Sequence, residues 1–368
     1  MDVLFFILIL AALIIVHEGG HFFAAKLFGI RVDEFAIGFP PRLASVKHGE
    51  TEYSVNLLLF GGFVRIFGEK IGEDGAHEPR SFANKSRWIQ AGVVVAGIAM
   101  NLVFAWLLLS SAYLIGMPTE VDPNTPASMA GVQDIRLEIL NVLPNAPAAK
   151  AGLKAGDIVD MIQTGTAQIA TTTLHAADAS SFIGSHSSES LLLTVLRGGK
   201  EQTFLARAEA GVLPDDPTRP ALGIEFGDVG TQWLSFLPAF IAGGKLAAQD
   251  TALTSEGLWN FFSSIALGRA NFAEVSGPVG IAQAGASAIA AGWSQLLFFA
   301  ALISINLALI NVLPIPGLDG GRLLIIAIEG IRRKPVSECV VSLMTMIGFS
   351  LLALLMIIVT YHDIARLL

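Results

Sequence analysis

Charge is what this sequence has least of. Only 15% of its 368 residues are Asp, Glu, Lys or Arg, while 53% are hydrophobic; soluble domains carry about 25% charged residues. The shortfall argues against an ordinary soluble globule. It points to a polytopic membrane protein with part of its mass in lipid. Cysteine is almost absent as well. Cys339 alone excludes an intrachain disulfide and a Cys-rich zinc site, so any metal falls to histidine and carboxylate. Cys339 itself reads as a small hydrophobe. A basic excess is also missing: the net charge of −8 argues against nucleic acid as a partner. No internal repeat or low-complexity tract stands out.

Long apolar runs are what the chain does have. The first covers about residues 3–25, roughly the 20 needed to cross a hydrocarbon core. No Lys or Arg precedes it and the helical pattern continues past it, so it reads as a retained first span rather than a cleaved leader. Further spans are expected at about 88–115, 291–313 and 340–359. Between the second and third, residues 117–230 are polar and rich in Gly, Pro, Asn and Asp, as a folded aqueous domain would be. Two amphipathic stretches, near 232–248 and 255–268, suit a membrane surface or a packed partner. The expected divisions are 1–116, 117–230 (core about 122–210), 231–290 and 291–368.

Loop charge sets an orientation. Lys and Arg are dense in 26–90 and in the short 320–338 loop, and sparse over the much longer 116–290. By the positive-inside rule the first two are cytoplasmic. The 117–230 domain and both termini then lie outside.

Inside the first span stands His17-Glu18-Gly19-Gly20-His21. Residues four apart share a helix face, so His17 and His21 can offer nitrogens to one Zn²⁺. Glu18 then sits within reach of a metal-bound water as general base. The alternative, two ordinary surface histidines, is weak, because ionisable groups within an apolar span are costly unless they function. A catalytic zinc wants three protein ligands and one open position. The third candidate is Asp319, in the segment from Asn311 to Gly321 that ends the third span. Pro314, Pro316, Gly317, Gly320 and Gly321 break the helix there, and irregular backbone at membrane depth is tolerated only inside protein or beside a wet cavity. Asp319 and the His pair fall at matching depth, near the cytoplasmic side. The competing reading of Asp319 is a cap for the next helix. Asn306 and Asn311 either hold the third span to its neighbours or bind a substrate backbone; spacing alone leaves both open.

These segments together resemble the site-2 protease family of intramembrane metalloproteases, in its bacterial branch with PDZ domains. HExxH in span one and NxxPxPGLDGG in span three carry the likeness. Gly61-Gly62-Phe63-Val64-Arg65 resembles the family's GGYVK segment, Ala96-Gly97 with Asn101 its AGPxxN, and Ser276-Gly277-Pro278-Val279-Gly280-Ile281 its SGPVGI. Residues 141–159 resemble the PDZ signature SPAAxAGLxxGDxI and read as strand, short helix, Gly turn, strand; 191–205 reads as a hairpin turning at Gly198-Gly199. The resemblance implies one Zn²⁺ on His17, His21 and Asp319, with Glu18 catalytic. It implies substrate contacts at Asn306 and Asn311, in a bacterial cell-membrane enzyme. Its expected partners are single-pass membrane proteins, the lipid bilayer and, for the PDZ groove, peptide ends. Residues 52–66 read as a strand hairpin, and the resemblance implies that it dips into the membrane, with Gly61, Gly62 and Phe63 on an edge that can add a substrate strand. The departures are Gly19, where the family usually has Leu, and Ile98, where it has Pro. The fold expected is a polytopic α-helical membrane protein of about four spans, with a membrane-associated β-hairpin or sheet and an inserted extracytoplasmic α+β PDZ domain.

Overall fold

The computed structural model describes residues 2–69, 78–122, 131–165, 167–170, 175–213, 216, 218–269, 277–334 and 336–367. Ser276 of the SGPVGI segment lies outside them. The chain forms two compact units, Met1–Ala112 with Leu237–Leu368, and Tyr113–Phe236.

Four helices in the first unit are long and apolar enough to span a membrane, at Phe6–Leu27, Arg87–Ile115, Trp293–Val312 and Cys339–Ala365. They belong to α1 (Asp2–Leu27), α2 (Arg87–Ile115), α7 (Trp293–Val312) and α9 (Glu338–Leu367). The four expected spans are therefore present within a few residues. The two amphipathic stretches are instead one helix, α5 (Phe236–Ala266). Its buried stripe is Ala239, Gly243 and Ala247. Small residues there bring the backbones close: a Cβ at Gly243 would meet the Ser110 backbone of α2, and Trp106 donates its indole N–H to the Phe240 carbonyl at 2.7 Å.

The 231–290 stretch, expected to hold amphipathic helices beside the membrane, ends in a shorter apolar helix, α6 (Pro278–Ala291). Its first turn explains the Gly277-Pro278 segment. The Asp363 carboxylate of α9 accepts the Gly277 N–H at 3.1 Å and the Gly280 N–H at 2.8 Å. Asp363 is buried, and it satisfies donors that a helix start leaves open. A Cβ at Gly277 would sit 2.8 Å from that carboxylate.

The sheet of this unit is built from β1 (Val32–His48) and β2 (Thr51–Ile66). Its register corrects the expected 52–66 hairpin. The two arms of β2 do not pair with each other; they flank the first half of β1. Phe35 pairs with Tyr53 on one side and Val64 on the other, and Ala36 with Ser54 and Phe63. Residues 42–48 turn back to pair with 51–56. The residues between, Pro40 and Pro41, are absent from the ladder, as prolines without an N–H should be. The outer edges of the sheet are thus 62–66 and 42–48. Burial alternates along Val32–Gly38 and stops at Phe39. Beyond that point Leu43, Val46, Leu57 and Leu58 stand exposed.

The second unit is a seven-stranded antiparallel sheet in the order β3-β9-β4-β5-β7-β8, with β6 beside β5. The strands are β3 (Met117–Glu120), β4 (Val132–Val142), β5 (Ile158–Gln163), β6 (Gln168–Ala170), β7 (Ser190–Arg197), β8 (Lys200–Arg207) and β9 (Ile224–Gln232). Two helices, α3 (Pro147–Ala151) and α4 (Ala176–Ser185), close one core with Leu137, Ile139, Val159, Leu191 and Leu193. The β7–β8 hairpin has the expected turn: Arg197 pairs with Lys200, and Gly198 and Gly199 take φ of 57° and 76°. Positive φ at both central residues is what a type I′ turn demands.

The PAAKAGLKAGD run (147–157) also has a local cause. Pro147 opens α3 and Gly152 closes it at φ 95°, with its N–H turned back to the last turn; this is the Pro-in, Gly-out asymmetry of short helices. Asp157 is then locked by Arg197. Nε and Nη2 each lie 2.6 Å from a carboxylate oxygen, and Nη2 also reaches the Gly152 carbonyl at 2.9 Å.

Candidate metal centre

His17, Glu18 and His21 lie on the fifth and sixth turns of α1, and Asp319 is the first residue of α8 (Asp319–Arg332). Asp319 makes no side-chain cap; the N-cap position is Leu318. Its Oδ2 faces His17 Nε2 at 3.2 Å and His21 Nε2 at 3.3 Å. The two Nε2 atoms are 3.3 Å apart. Ligand atoms held tetrahedrally at Zn distances of 2.0–2.1 Å are about 3.3 Å apart. The triangle therefore has the size a zinc ion requires. It is the one such cluster among the described residues. Burial works against charge on Asp319, but the imidazoles of His17 and His21 that face it hold its carboxyl at about 2. It is ionised and ready as a ligand.

Close backbone approach sets this geometry. His21 Nδ1 lies 2.9 Å from the Val93 carbonyl of α2. A Cβ on Gly97 would strike the His21 ring, and one on Gly20 would strike the Ala96 carbonyl. Gly20 and Gly97 are therefore required where α1 crosses α2. Gly19 is not: a Cβ there meets only Phe23, at an ordinary 3.8 Å. The departure from Leu at position 19 costs helix propensity without disturbing the ligands.

The turn from α7 to α8 is equally tight. A Cβ on Gly320 would collide with the carbonyls of Val312 and Leu313, and one on Gly321 with that of Ile315. Gly317 has φ 101°. The prolines and glycines of this segment let the chain reverse within a few residues and bring Asp319 under α1.

The centre opens on a cavity of about 500 Å³. Glu18 lines it beside the ligands, as do Asn311, Gly61, Gly62 and Phe63. The Val64 backbone amide bonds the Glu18 carboxylate, and a Cβ on Gly62 would lie 3.5 Å from Glu18 Cγ. The outer arm of β2 thus runs directly past the acid. Of the two asparagines, Asn311 faces the cavity; Asn306 spends its amide N–H on the Leu302 carbonyl of its own helix at 2.9 Å.

Sequence reasoning gave no role to several neighbours. Phe39 and Thr345 line the cavity, as do Glu69 and Arg322. Burial pushes the Glu69 carboxyl up while Arg322 pulls it back, and Arg322 donates to the Glu69 backbone carbonyl at 2.8 Å. Asn101 was noticed as part of a motif only; a polar amide within an apolar span was the available signal.

Two histidines and an aspartate around one point, with a glutamate beside them, form a candidate metal site with the donor types that a zinc metalloprotease uses. The chain belongs to peptidase family M50, the site-2 protease family, whose model matches residues 5–355. Among individual proteins it is similar to a candidate zinc metalloprotease of Clostridium perfringens, 34% identical over 99% of this chain and 98% of the relative. Another candidate zinc metalloprotease, from Synechocystis, is 35% identical over 90% of this chain and 85% of its own length. The regulator of sigma-W protease RasP of Bacillus subtilis is 29% identical over 99% and 98%. The protein is accordingly a zinc metalloprotease of a membrane-embedded family, and membrane proteins are the substrate class that the family implies.

Proposed function

We propose that this chain is an intramembrane endopeptidase that hydrolyses peptide bonds of transmembrane proteins, with one Zn²⁺ on His17, His21 and Asp319. The observation that carries the reading is the triangle of ligand atoms beside Glu18, built from a membrane-spanning helix. Zinc, when bound, supplies Lewis acidity and makes water a nucleophile near neutral pH. Glu18 takes the proton from the water that attacks the scissile carbonyl carbon. It returns that proton to the leaving amide nitrogen as the C–N bond breaks.

The edge at Gly61, Gly62 and Phe63 presents unpaired backbone beside Glu18. A substrate segment unwound from its helix pairs there by strand addition, which exposes carbonyls that a helix hides. Asn311 bonds the extended backbone from the opposite wall, with Asn306 in a supporting place on the same helix. The exposed apolar residues of 39–58 fit a sheet dipped into lipid.

Loop charge puts the metal centre near the cytoplasmic side and the β unit outside a bacterial cell membrane. That unit is read as one PDZ-like domain, acting as a filter against bulky outer portions of substrate rather than as a peptide receptor. Single-pass substrates already trimmed outside, such as anti-sigma factors or remnant signal peptides, fit such a filter. An inactive scaffold and an outward-facing protease are the competing functions. The first predicts no zinc and no cleavage. The second predicts that cysteines placed in 40–50 and 320–335 react from outside.

The test is a cleavage assay on a model single-span substrate, with zinc measured on the same samples. Glu18→Gln is expected to keep one zinc per chain and to lose activity by ~10²–10⁴-fold, the usual worth of a general acid–base. Equal cleavage by the variant refutes the assignment.

A further inference from the structure

The two imidazoles of the metal centre are held from behind by different kinds of group. His21 Nδ1 faces the Val93 main-chain carbonyl at 2.9 Å. A carbonyl can only accept, so Nδ1 of His21 carries a proton and Nε2 is the nitrogen left to face the metal. His17 Nδ1 faces the side-chain amide of Asn101, with Nδ2 at 3.1 Å. An amide can do either job: its NH₂ end donates to a bare Nδ1, and its oxygen end accepts from a protonated one. A half-turn about the last side-chain bond exchanges the two.

Three observations give this amide its freedom and its fixed place. Asn101 is fully buried in α2. Among the described residues its Oδ1 has no hydrogen-bond partner, so none of them holds the far end of the amide in one sense. Its backbone is anchored, because Ser304 of α7 donates to the Asn101 carbonyl at 2.8 Å. The amide is therefore pinned in position and unpinned in sense, and His17 alone sets which end it presents.

We infer that Asn101 is a positioning residue that acts through His17: its amide follows the imidazole tautomer and lets His17 alternate between a ligating and a non-ligating form. With the NH₂ end on Nδ1, the His17 proton sits on Nε2, which faces Asp319 Oδ2 at 3.2 Å; in that form Nε2 cannot bind a metal. With the oxygen end on Nδ1–H, Nε2 is bare and completes the ligand set. His21 is preset, whereas His17 is adaptable. This deepens the zinc reading above and rests on it. Partners behind ligating histidines are worth 10–100-fold in metal affinity where they have been removed.

The test measures zinc affinity by chelator competition on the full-length detergent-solubilised protein, for the wild type, Asn101→Leu and Asn101→Asp. Thermal unfolding is run without zinc on all three. Leu offers no partner and is expected to weaken zinc ~10–100-fold. Asp can only accept, presets His17 as Val93 presets His21, and is expected to bind at least as tightly as the wild type. Long-range nitrogen–proton NMR on histidine-labelled Asn101→Asp is expected to place the His17 proton on Nδ1 before zinc is added. A wild type that binds zinc while Asn101→Leu binds it equally well overturns the inference and leaves the protease reading standing. An Asp variant as weak as Leu overturns it too, since a merely structural amide would show that pattern. If Leu fails to fold, the Asp variant and its NMR signature decide. A wild type without zinc refutes the underlying reading instead.

Discussion

The buried carboxylates of the β unit and the one at the candidate metal centre of the helical unit are held in opposite ways. In the β unit they are committed to the fold. Asp157 is 1% exposed and is saturated by Arg197 through two bonds, with the Lys154 N–H as a third at 2.9 Å. Asp228 receives the Ala176 N–H and faces His175 at 3.4 Å. In the helical unit, Asp319 Oδ2 is buried with no hydrogen-bond donor of standard geometry among the described residues, and both Nε2 atoms aim at it. A buried charge with its partners in place is architecture. Several potential ligand atoms converging on one point make a candidate site.

The contrast is broken first by removing a committed partner. Arg197→Ala leaves Asp157 buried with one main-chain donor. Breaking such a pair costs ~3–5 kcal/mol, so hydrogen exchange across Ile158–Gln163 should rise sharply while zinc content stays unchanged. Loss of zinc in that variant would mean the units are not independent in this respect. The next effect separates two adjacent glycines. Gly20→Ala forces α1 off α2 and should cost ~1–3 kcal/mol as an overpacked contact, with weaker zinc binding. Gly19→Ala has room and should stabilise the helix by about 1 kcal/mol with normal zinc and cleavage. Thermal unfolding of both variants reads the difference; equal effects would contradict a close crossing of α1 and α2 at Gly20.

The smallest effect is electrostatic. Hydrogen bonds from Arg80 and Lys26 hold the Glu50 carboxyl down at about 2. A lowered carboxylate stabilises the folded state above its ordinary value of 4.5, and that contribution fades as pH falls toward 2. The pair is partly exposed, so its worth is below ~1 kcal/mol. Glu50→Gln should flatten the acid side of the stability profile slightly and leave the neutral region almost unmoved.

Much of the metal centre was legible because its signals are local. HExxH spacing is a helical repeat, and the prolines and glycines around Asp319 announce a sharp reversal at membrane depth. The Gly198-Gly199 turn and the Pro147–Gly152 helix are likewise written in adjacent residues. The sheet was misread for the opposite reason. Thr51–Asn56 and Gly62–Ile66 look like two arms of a hairpin, yet the strand between them comes from 32–37, and non-local pairing leaves no local period. The single helix α5 hid behind its Thr, Ser and Gly residues around 251–257, which weaken helical propensity without ending it. The link from Asp363 to α6 spans 86 residues, and nothing at either end names the other. Asn101 was visible as a polar residue in lipid, but its meaning depends on His17 Nδ1 being 3.1 Å away.

The central claim is that His17, His21 and Asp319 hold one metal ion together. Zinc per chain, measured on purified wild type and Asp319→Ala at equal free zinc, tests it most directly. One zinc in the wild type and nearly none in the variant is the predicted result; the same content in both would contradict it.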